Sequence, residues 1–203
     1  MRDKKIKDLI FDLGGVLIGF RWKEMLTLDF GVEELRAEEI GHRIFEDPIW
    51  NEYDRGTVDT DELTDHYFSL YPDDSAIIKR LFQEGERMVI RRDTLWKKIE
   101  NLKDQGFRIF ILSNYSRFLF EKHSKPIPFM DRLDGMVVSY EVHMLKPEPG
   151  IYEHILKKYS LVPEECIFFD DTRENVDAAI KMGIQSVQVL SEEMLVKELD
   201  DLT

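Results

Sequence analysis

Asp12 closes an apolar run, Leu9-Ile10-Phe11, and is followed by Leu13, Gly14 and Gly15. Glycine lets the chain turn sharply and lets backbone approach a ligand closely. A carboxylate at the end of a buried strand, with open backbone beside it, is placed for chemistry; a turn-capping aspartate is the plainer alternative. Later apolar runs end in the same polar way. Phe107–Leu112 leads into Ser113 and Asn114, and Cys166–Phe169 leads into Asp170 and Asp171. Lys146 lies in Met144-Leu145-Lys146-Pro147-Glu148-Pro149, a loop that proline stiffens.

If these strand ends converge, three carboxylates share a small space, and a proton or a cation must relieve their repulsion. Mg²⁺ suits an all-oxygen donor set, keeps waters and leaves room for a phosphate. It would bridge protein carboxylate and substrate phosphate. Asp12 is then a sensible nucleophile, forming an acyl-phosphate that water opens. A fixed Lys146 ammonium could neutralise that aspartate and a transferring phosphoryl group, where a lone lysine is more commonly solvated. Ser113 and Asn114 offer hydroxyl, amide and N–H groups to phosphate oxygens, or simply make a turn. Successive strand residues face opposite ways, so Asp170 and Asp171 should differ in role, with a helix N-cap as the alternative for the pair.

The elements that would position these groups follow from periodicity. Ile6–Leu13 reads as the first strand. From about Phe20 to Asp93, residues 22–30, 33–45, 60–70 and 74–90 carry apolar residues at helical spacing. Gly31, Asp47-Pro48, Arg55-Gly56 and Tyr71-Pro72-Asp73 interrupt them. Helix and strand then alternate: helix 94–105, strand 107–112, strand 135–140, helix 147–159, strand 166–169, helix 173–182, strand 186–190 and helix 192–199. Alternation with strongly apolar strands predicts a parallel sheet covered on both faces. Ligands in such sheets sit at the carboxyl ends of strands near a switch in strand order. The expected fold is α/β, a three-layer Rossmann-like core of residues 1–18 and 94–203, with a small helical cap, 19–93, inserted after the first strand.

The chain has 203 residues, 43% of them hydrophobic and 34% charged, which fits a globular chain with a real core. Its 28 basic and 41 acidic residues give a net charge of -13, against nucleic acid or anionic membrane as main partners. The same charge repels a phosphorylated substrate at long range, so an anion site needs local positive charge. The single Cys166 excludes an internal disulfide and fits a reducing compartment. Met1–Asp8 holds no apolar leader and no run is long enough to span a bilayer, so a cytoplasmic location is expected.

Four ordered signatures carry a resemblance. They are Ile10-Phe11-Asp12-Leu13-Gly14-Gly15-Val16, then Ile111-Leu112-Ser113-Asn114, then Lys146-Pro147 with Ile151-Tyr152, then Phe168-Phe169-Asp170-Asp171 with Asn175. Together they resemble the haloacid dehalogenase superfamily of hydrolases along essentially the whole chain. Asn51-Glu52-Tyr53-Asp54-Arg55-Gly56-Thr57 is similar to cap sequences of the sugar-phosphate phosphatase and epoxide hydrolase N-terminal phosphatase branch. The resemblance implies a Mg²⁺-dependent phosphomonoester hydrolase acting on a small phosphorylated metabolite, a sugar phosphate being one option. Asp12 would be nucleophile and metal ligand, and Gly14 would offer its carbonyl to the metal. Ser113, assisted by Asn114, would bind the phosphoryl oxygens. Lys146 would hold Asp12 and the phosphoryl group, and Asp171 would ligate Mg²⁺ with Asp170 in support.

One position departs from the family. Its phosphatases usually carry a second aspartate, the general acid/base, two residues after the nucleophile, and here that residue is Gly14. A good leaving group, a water or a cap residue could stand in for it. The alternatives are a phosphate-ligand-binding or regulatory relative with little turnover, a 2-haloacid dehalogenase, or a phosphomutase. Dehalogenation uses no metal, whereas Asp170-Asp171 suits one. Trp50, Arg21, His42, Tyr53 and Arg55 are candidate substrate contacts from the cap, Trp50 foremost.

Overall fold

A computed structural model describes residues 6–202. Met1–Lys5, where the absence of a leader was read, lie outside the described residues. In chain order the elements are β1 (Asp8–Phe11), β2 (Gly19–Phe20), α1 (Trp22–Glu24, continuing as a π-helical turn Met25–Asp29), α2 (Glu34–Phe45), α3 (Pro48–Arg55), α4 (Thr60–Leu70) and α5 (Ser75–Gln83). There follow β3 (Val89–Ile90), α6 (Asp93–Asp104), β4 (Arg108–Ser113), α7 (Arg117–His123), β5 (Gly135–Val138), α8 (Ser139–Val142) and α9 (Pro149–Lys158). The chain ends in β6 (Cys166–Asp170), α10 (Arg173–Lys181), β7 (Gln185–Gln188) and α11 (Glu192–Asp200).

Five strands form one parallel sheet in the order β5-β4-β1-β6-β7. After β1 the chain builds outward through β4 and β5, then returns to the other side for β6 and β7, so strand order switches beside β1. Side chains alternate across the sheet as strand geometry requires. Leu9, Phe11, Ile109, Ile111, Ile167 and Phe169 join one buried cluster, shared with α6 and α11. Ile10, Phe110, Leu112 and Phe168 join the other, against α9 and α10. Both faces are covered, which explains why the strands read as nearly continuous apolar runs.

The insert between β1 and α6 is closed at its base by a two-stranded antiparallel ribbon, β2 with β3. Its apolar interior is continuous with the α6 side of the sheet: Leu26, Ile40, Ile44 and Leu63 belong to the same cluster as Phe11 and Trp96. The Trp96 indole donates to the Leu17 carbonyl at 2.6 Å, and Arg92 donates to the Val16 carbonyl at 2.6 Å.

Three sequence expectations change. Asp47-Pro48 is a helix start, not a break: the Asp47 side chain accepts from Ile49 N–H at 3.0 Å, and Pro48 fills the first turn, where it has no N–H to lose. The helix expected over 74–90 stops at Gln83 and gives way to a short turn and β3. The strand expected over 135–140 ends at Val138, and Ser139 begins a short helix.

Candidate active site

Register brings the polar strand ends level. Phe11 pairs with Ile111 on one side and Phe169 on the other, and Asp12 N–H donates to the Phe169 carbonyl at 2.9 Å. Asp12, just past β1, therefore stands between the ends of β4 and β6. Its Oδ1 accepts from Ser113 Oγ at 2.6 Å and from Leu13 N–H at 2.7 Å, and lies 2.9 Å from Lys146 Nζ. Lys146 Nζ also meets Asp170 Oδ2 at 2.6 Å. The lysine loop is clasped by Asn114, whose amide donates to the Lys146 carbonyl at 2.9 Å and whose carbonyl accepts from Lys146 N–H at 2.8 Å. Asn114 is thus engaged with the Lys146 backbone.

Asp170 is fully buried and accepts from Asn175 and from Thr172 N–H, as the residue opening a helix connection does. Its neighbour Asp171 is exposed, so the two carboxylates do face different surroundings. Gly15 explains how close the β1 loop runs to Asp171. It has φ +71°, which strains any other residue, and a Cβ there would fall 2.1 Å from Asp171 Oδ2, so a side chain would displace that carboxylate.

One carboxylate oxygen from each of Asp12, Asp170 and Asp171 lies within 4.8 Å of the others. Three carboxylates face one ammonium. Burial alone would push Lys146 down, but Asp12 and Asp170 outweigh it and leave it raised and charged. Asp12 is pushed up to about 7 by burial, with Lys146 opposing and Asp170 adding. Asp171 is also raised, by burial first and then by Asp170. The cluster is short of positive charge, and its donors are all hard oxygens, so the residues present fit Mg²⁺.

Above this floor opens a cleft of about 340 Å³, reached by Asp12, Gly14, Asn114 and Asp171. Its walls are mainly rings and aliphatic chains: Phe20, Trp22, Phe45, Trp50, Met88 and Leu119. Trp50, the foremost of the expected substrate contacts, lines this cleft. The other cap candidates are elsewhere. Arg21 pairs with Asp29 at 2.9 Å, and His42 pairs with Glu46 on the surface. Tyr53 is buried, its hydroxyl against Thr60 at 3.0 Å, and Arg55 pairs with Glu148 at 2.7 Å. These four are spent on packing or ion pairs.

Sequence reading missed Asp54, which lines the cleft. Trp50, Tyr53 and Asp54 follow the i, i+3, i+4 spacing of one helix face. An acid on an otherwise aromatic face was the available signal, but it needs α3 to be recognised as a helix first.

Residues 6–183 match the family model described as "Hydrolase: haloacid dehalogenase-like hydrolase". The sesquiterpene phosphatase astK of Aspergillus oryzae is 27% identical over 178 residues, spanning 88% of this chain and 87% of that protein. D-ribitol-5-phosphate phosphatase of Bacteroides thetaiotaomicron is 21% identical over 194 residues, 90% of this chain and 91% of that protein. Among solved structures, a HAD family enzyme of Bacteroides thetaiotaomicron in complex with magnesium and inorganic phosphate superposes with a TM-score of 0.69. It is 22% identical, over 92% of this chain and 96% of that one.

Proposed function

The chain belongs to the haloacid dehalogenase-like hydrolase family, and on that premise we propose that it is a Mg²⁺-dependent phosphomonoester hydrolase working through an aspartyl-phosphate on Asp12. The observation that carries the reading is the setting of Asp12: buried, oriented by Ser113 and Leu13 N–H, and paired with Lys146 beside two further carboxylates. An aspartate fixed this way presents one oxygen to an incoming phosphorus without reorganisation. Asp12, Asp171 and the Gly14 carbonyl would hold Mg²⁺, with Asp170 in support; when bound, the ion supplies charge neutralisation for the carboxylates and the phosphoryl group.

Lys146 would keep Asp12 ionised and follow the charge that develops on the phosphoryl oxygens. Ser113 would turn its hydroxyl from Asp12 to a phosphoryl oxygen as substrate enters. Asn114 would hold the lysine loop in register and offer its remaining amide hydrogen. The insert, 19–93, would act as a cap over a core of 1–18 and 94–203, excluding water from the first step.

The substrate is a small phosphorylated metabolite, and the wall chemistry supports an apolar or aromatic organic group over a sugar. Phe20, Trp22, Phe45 and Trp50 offer contact area but few partners for a row of hydroxyls. Among the described residues no helix is long and apolar enough to cross a membrane. A cytoplasmic location, with neither nucleic acid nor membrane as partner, remains the reading from composition.

The test is hydrolysis of 4-nitrophenyl phosphate by the purified chain with and without Mg²⁺, beside a panel of prenyl, aryl and sugar phosphates. Turnover should require Mg²⁺, disappear in Asp12→Asn, and favour the apolar esters. Phosphate-dependent thermal stabilisation with no turnover of any ester would instead mark a binding protein.

A further inference from the structure

We propose that Asp54, carried on α3 of the insert, is the catalytic residue that passes the proton to the leaving group and takes it back from water. The proposal rests on the phosphatase reading above and supplies the group that reading lacks.

The usual position is overhung by the Phe20 ring. A Cβ built on Gly14 would stand 2.9 Å from Phe20 Cε2 and 3.7 Å from Tyr115 Cε2, so an acid there requires Phe20 to move. Two other titratable groups in the cleft wall are committed. The His123 ring meets the Tyr115 hydroxyl at 2.7 Å through Nδ1 and the Gly85 carbonyl at 2.8 Å through Nε2. Burial lowers His123, so it stays neutral, and raises Tyr115 well above the phenol range. Asp54 lines the same cleft as Asp12 and is bound into neither pair.

Its backbone is held to the catalytic side. Ser139 Oγ donates to the Asp54 carbonyl. Arg55 spans Glu148 at 2.7 and 3.2 Å and reaches the His143 carbonyl at 3.2 Å, while His143 Nδ1 meets the Arg55 carbonyl at 2.9 Å. Glu148 in turn accepts from Leu145 N–H at 3.3 Å, next to Lys146. Gly56 follows with φ +76°, its Cα side pressed on the Tyr140 backbone, so a Cβ would meet the Tyr140 carbonyl oxygen at 2.9 Å. Asp54 and Lys146 are therefore set by one frame, although they come from the insert and from the core. Burial, and the Asp12 carboxylate, push Asp54 up to about 7 against the Ser116 backbone N–H. A group near that value serves as donor and acceptor by turns at neutral pH.

The steps balance. Asp12 attacks phosphorus; the bond from phosphorus to the ester oxygen breaks with its electron pair on that oxygen, and the Asp54 proton moves to it, releasing alcohol. Asp54, now carboxylate, takes a proton from water as the water oxygen bonds to phosphorus. The bond from phosphorus to Asp12 breaks with its pair on the carboxylate, which releases phosphate and restores both aspartates.

The test is Asp54→Asn, in the full chain with Mg²⁺, on two esters: 4-nitrophenyl phosphate, whose leaving group needs no proton, and hexyl phosphate, whose leaving group does. Hexyl phosphate turnover should fall on the order of 10²–10⁴-fold. With 4-nitrophenyl phosphate the first turnover should survive as a burst of nitrophenolate, followed by a slow steady state with phosphorylated protein trapped by acid quench. Asp54→Glu, which keeps a carboxyl, should recover hexyl phosphate turnover at least about tenfold over Asn. Equal losses on both esters without a burst, or a Glu variant no better than Asn, would overturn the assignment. A wild-type chain inert towards both esters would overturn the phosphatase reading itself.

Discussion

Lys146 Nζ lies 2.9 Å from Asp12 Oδ1 with both side chains nearly or fully buried, and it faces Asp170 at 2.6 Å on its other side. Removing one partner of a buried ion pair costs more than the pair is worth, because the other charge is left behind. Lys146→Met should therefore destabilise the metal-free protein by about 3–5 kcal/mol at pH 8. The sign with pH follows from the carboxylates left unpaired. Asp12 is already raised to about 7, and without the ammonium it rises further. Protonation at pH 5 then removes most of the penalty, so the loss should shrink as pH falls. Urea unfolding of both proteins at pH 5 and pH 8 measures this; a deficit that does not change with pH would mean that Lys146 acts through packing alone.

Metal binding has a readout independent of turnover. If Asp12 and Asp171 share one dication with Asp170 in support, Mg²⁺ should raise the melting temperature, with a stabilisation of about 2.7 kcal/mol at a hundredfold excess over Kd. Asp171 is exposed and holds little of the fold together, so Asp171→Asn should fold normally and lose that shift. Thermal melts across a Mg²⁺ titration check this. An Asp171→Asn protein that still responds fully would move the ion off this cluster.

These two expectations rest on residues that were legible before any coordinates. Asp12, Ser113, Lys146 and Asp170 end strands or loops at positions where apolar runs stop, and a parallel sheet allows few places for such ends to meet. Pattern and topology therefore specified the floor of the site. The walls were less legible, for a physical reason. Arg21, His42, Tyr53 and Arg55 are polar residues in the right segment, but side-chain direction depends on helix phase and on the partner each finds, as near as Asp29 for Arg21 or as distant in sequence as Glu148 for Arg55. Taking Asp47-Pro48 for a break erased α3, and with it the face that carries Asp54. The opposite error, extending a helix to residue 90, hid the ribbon that ties the insert to the core. A capping aspartate followed by proline has two readings, stop or start, and only the following residues decide between them.

Gly14→Asp restores the acid that most phosphatases of the family carry, yet it should not raise activity. The new side chain would meet Phe20, whose ring is 2.9 Å from the added Cβ. Phe20 is 43% exposed and can swing outward, but doing so removes part of the cleft wall. The single variant should thus lose kcat/KM. The double variant Gly14→Asp, Phe20→Ala should recover activity relative to the single one, and should rescue Asp54→Asn in part on hexyl phosphate. Steady-state kinetics of the wild type, the single and double variants, Asp54→Asn and the triple variant decide the matter; a gain from Gly14→Asp alone would show that the position had room all along.

A residue raised to about 7 for catalysis costs the fold, and Asp54 should reveal that cost. Its carboxyl has the ordinary value of 3.8 when the chain is unfolded and is pushed up to about 7 when folded. Below the lower value both states carry the proton and no penalty exists. Between the two, the folded state holds a proton that the unfolded state has lost, so stability falls as pH rises. Above about 7 the penalty is fully present. At about 1.4 kcal/mol per pH unit of separation the complete effect would be about 4 kcal/mol. Solvent at the partly exposed residue, and the loss of carboxylate contacts to Ser116 N–H and Trp50, reduce this to about 1–3 kcal/mol. Asp54→Asn should consequently match the wild type near pH 4 and exceed it in stability at pH 8, in metal-free buffer. Guanidinium unfolding across that range measures the gap. A gap that is constant with pH would separate Asp54 from the carboxylate-rich floor it serves, whereas one that opens between pH 4 and 7 ties its titration to the cleft.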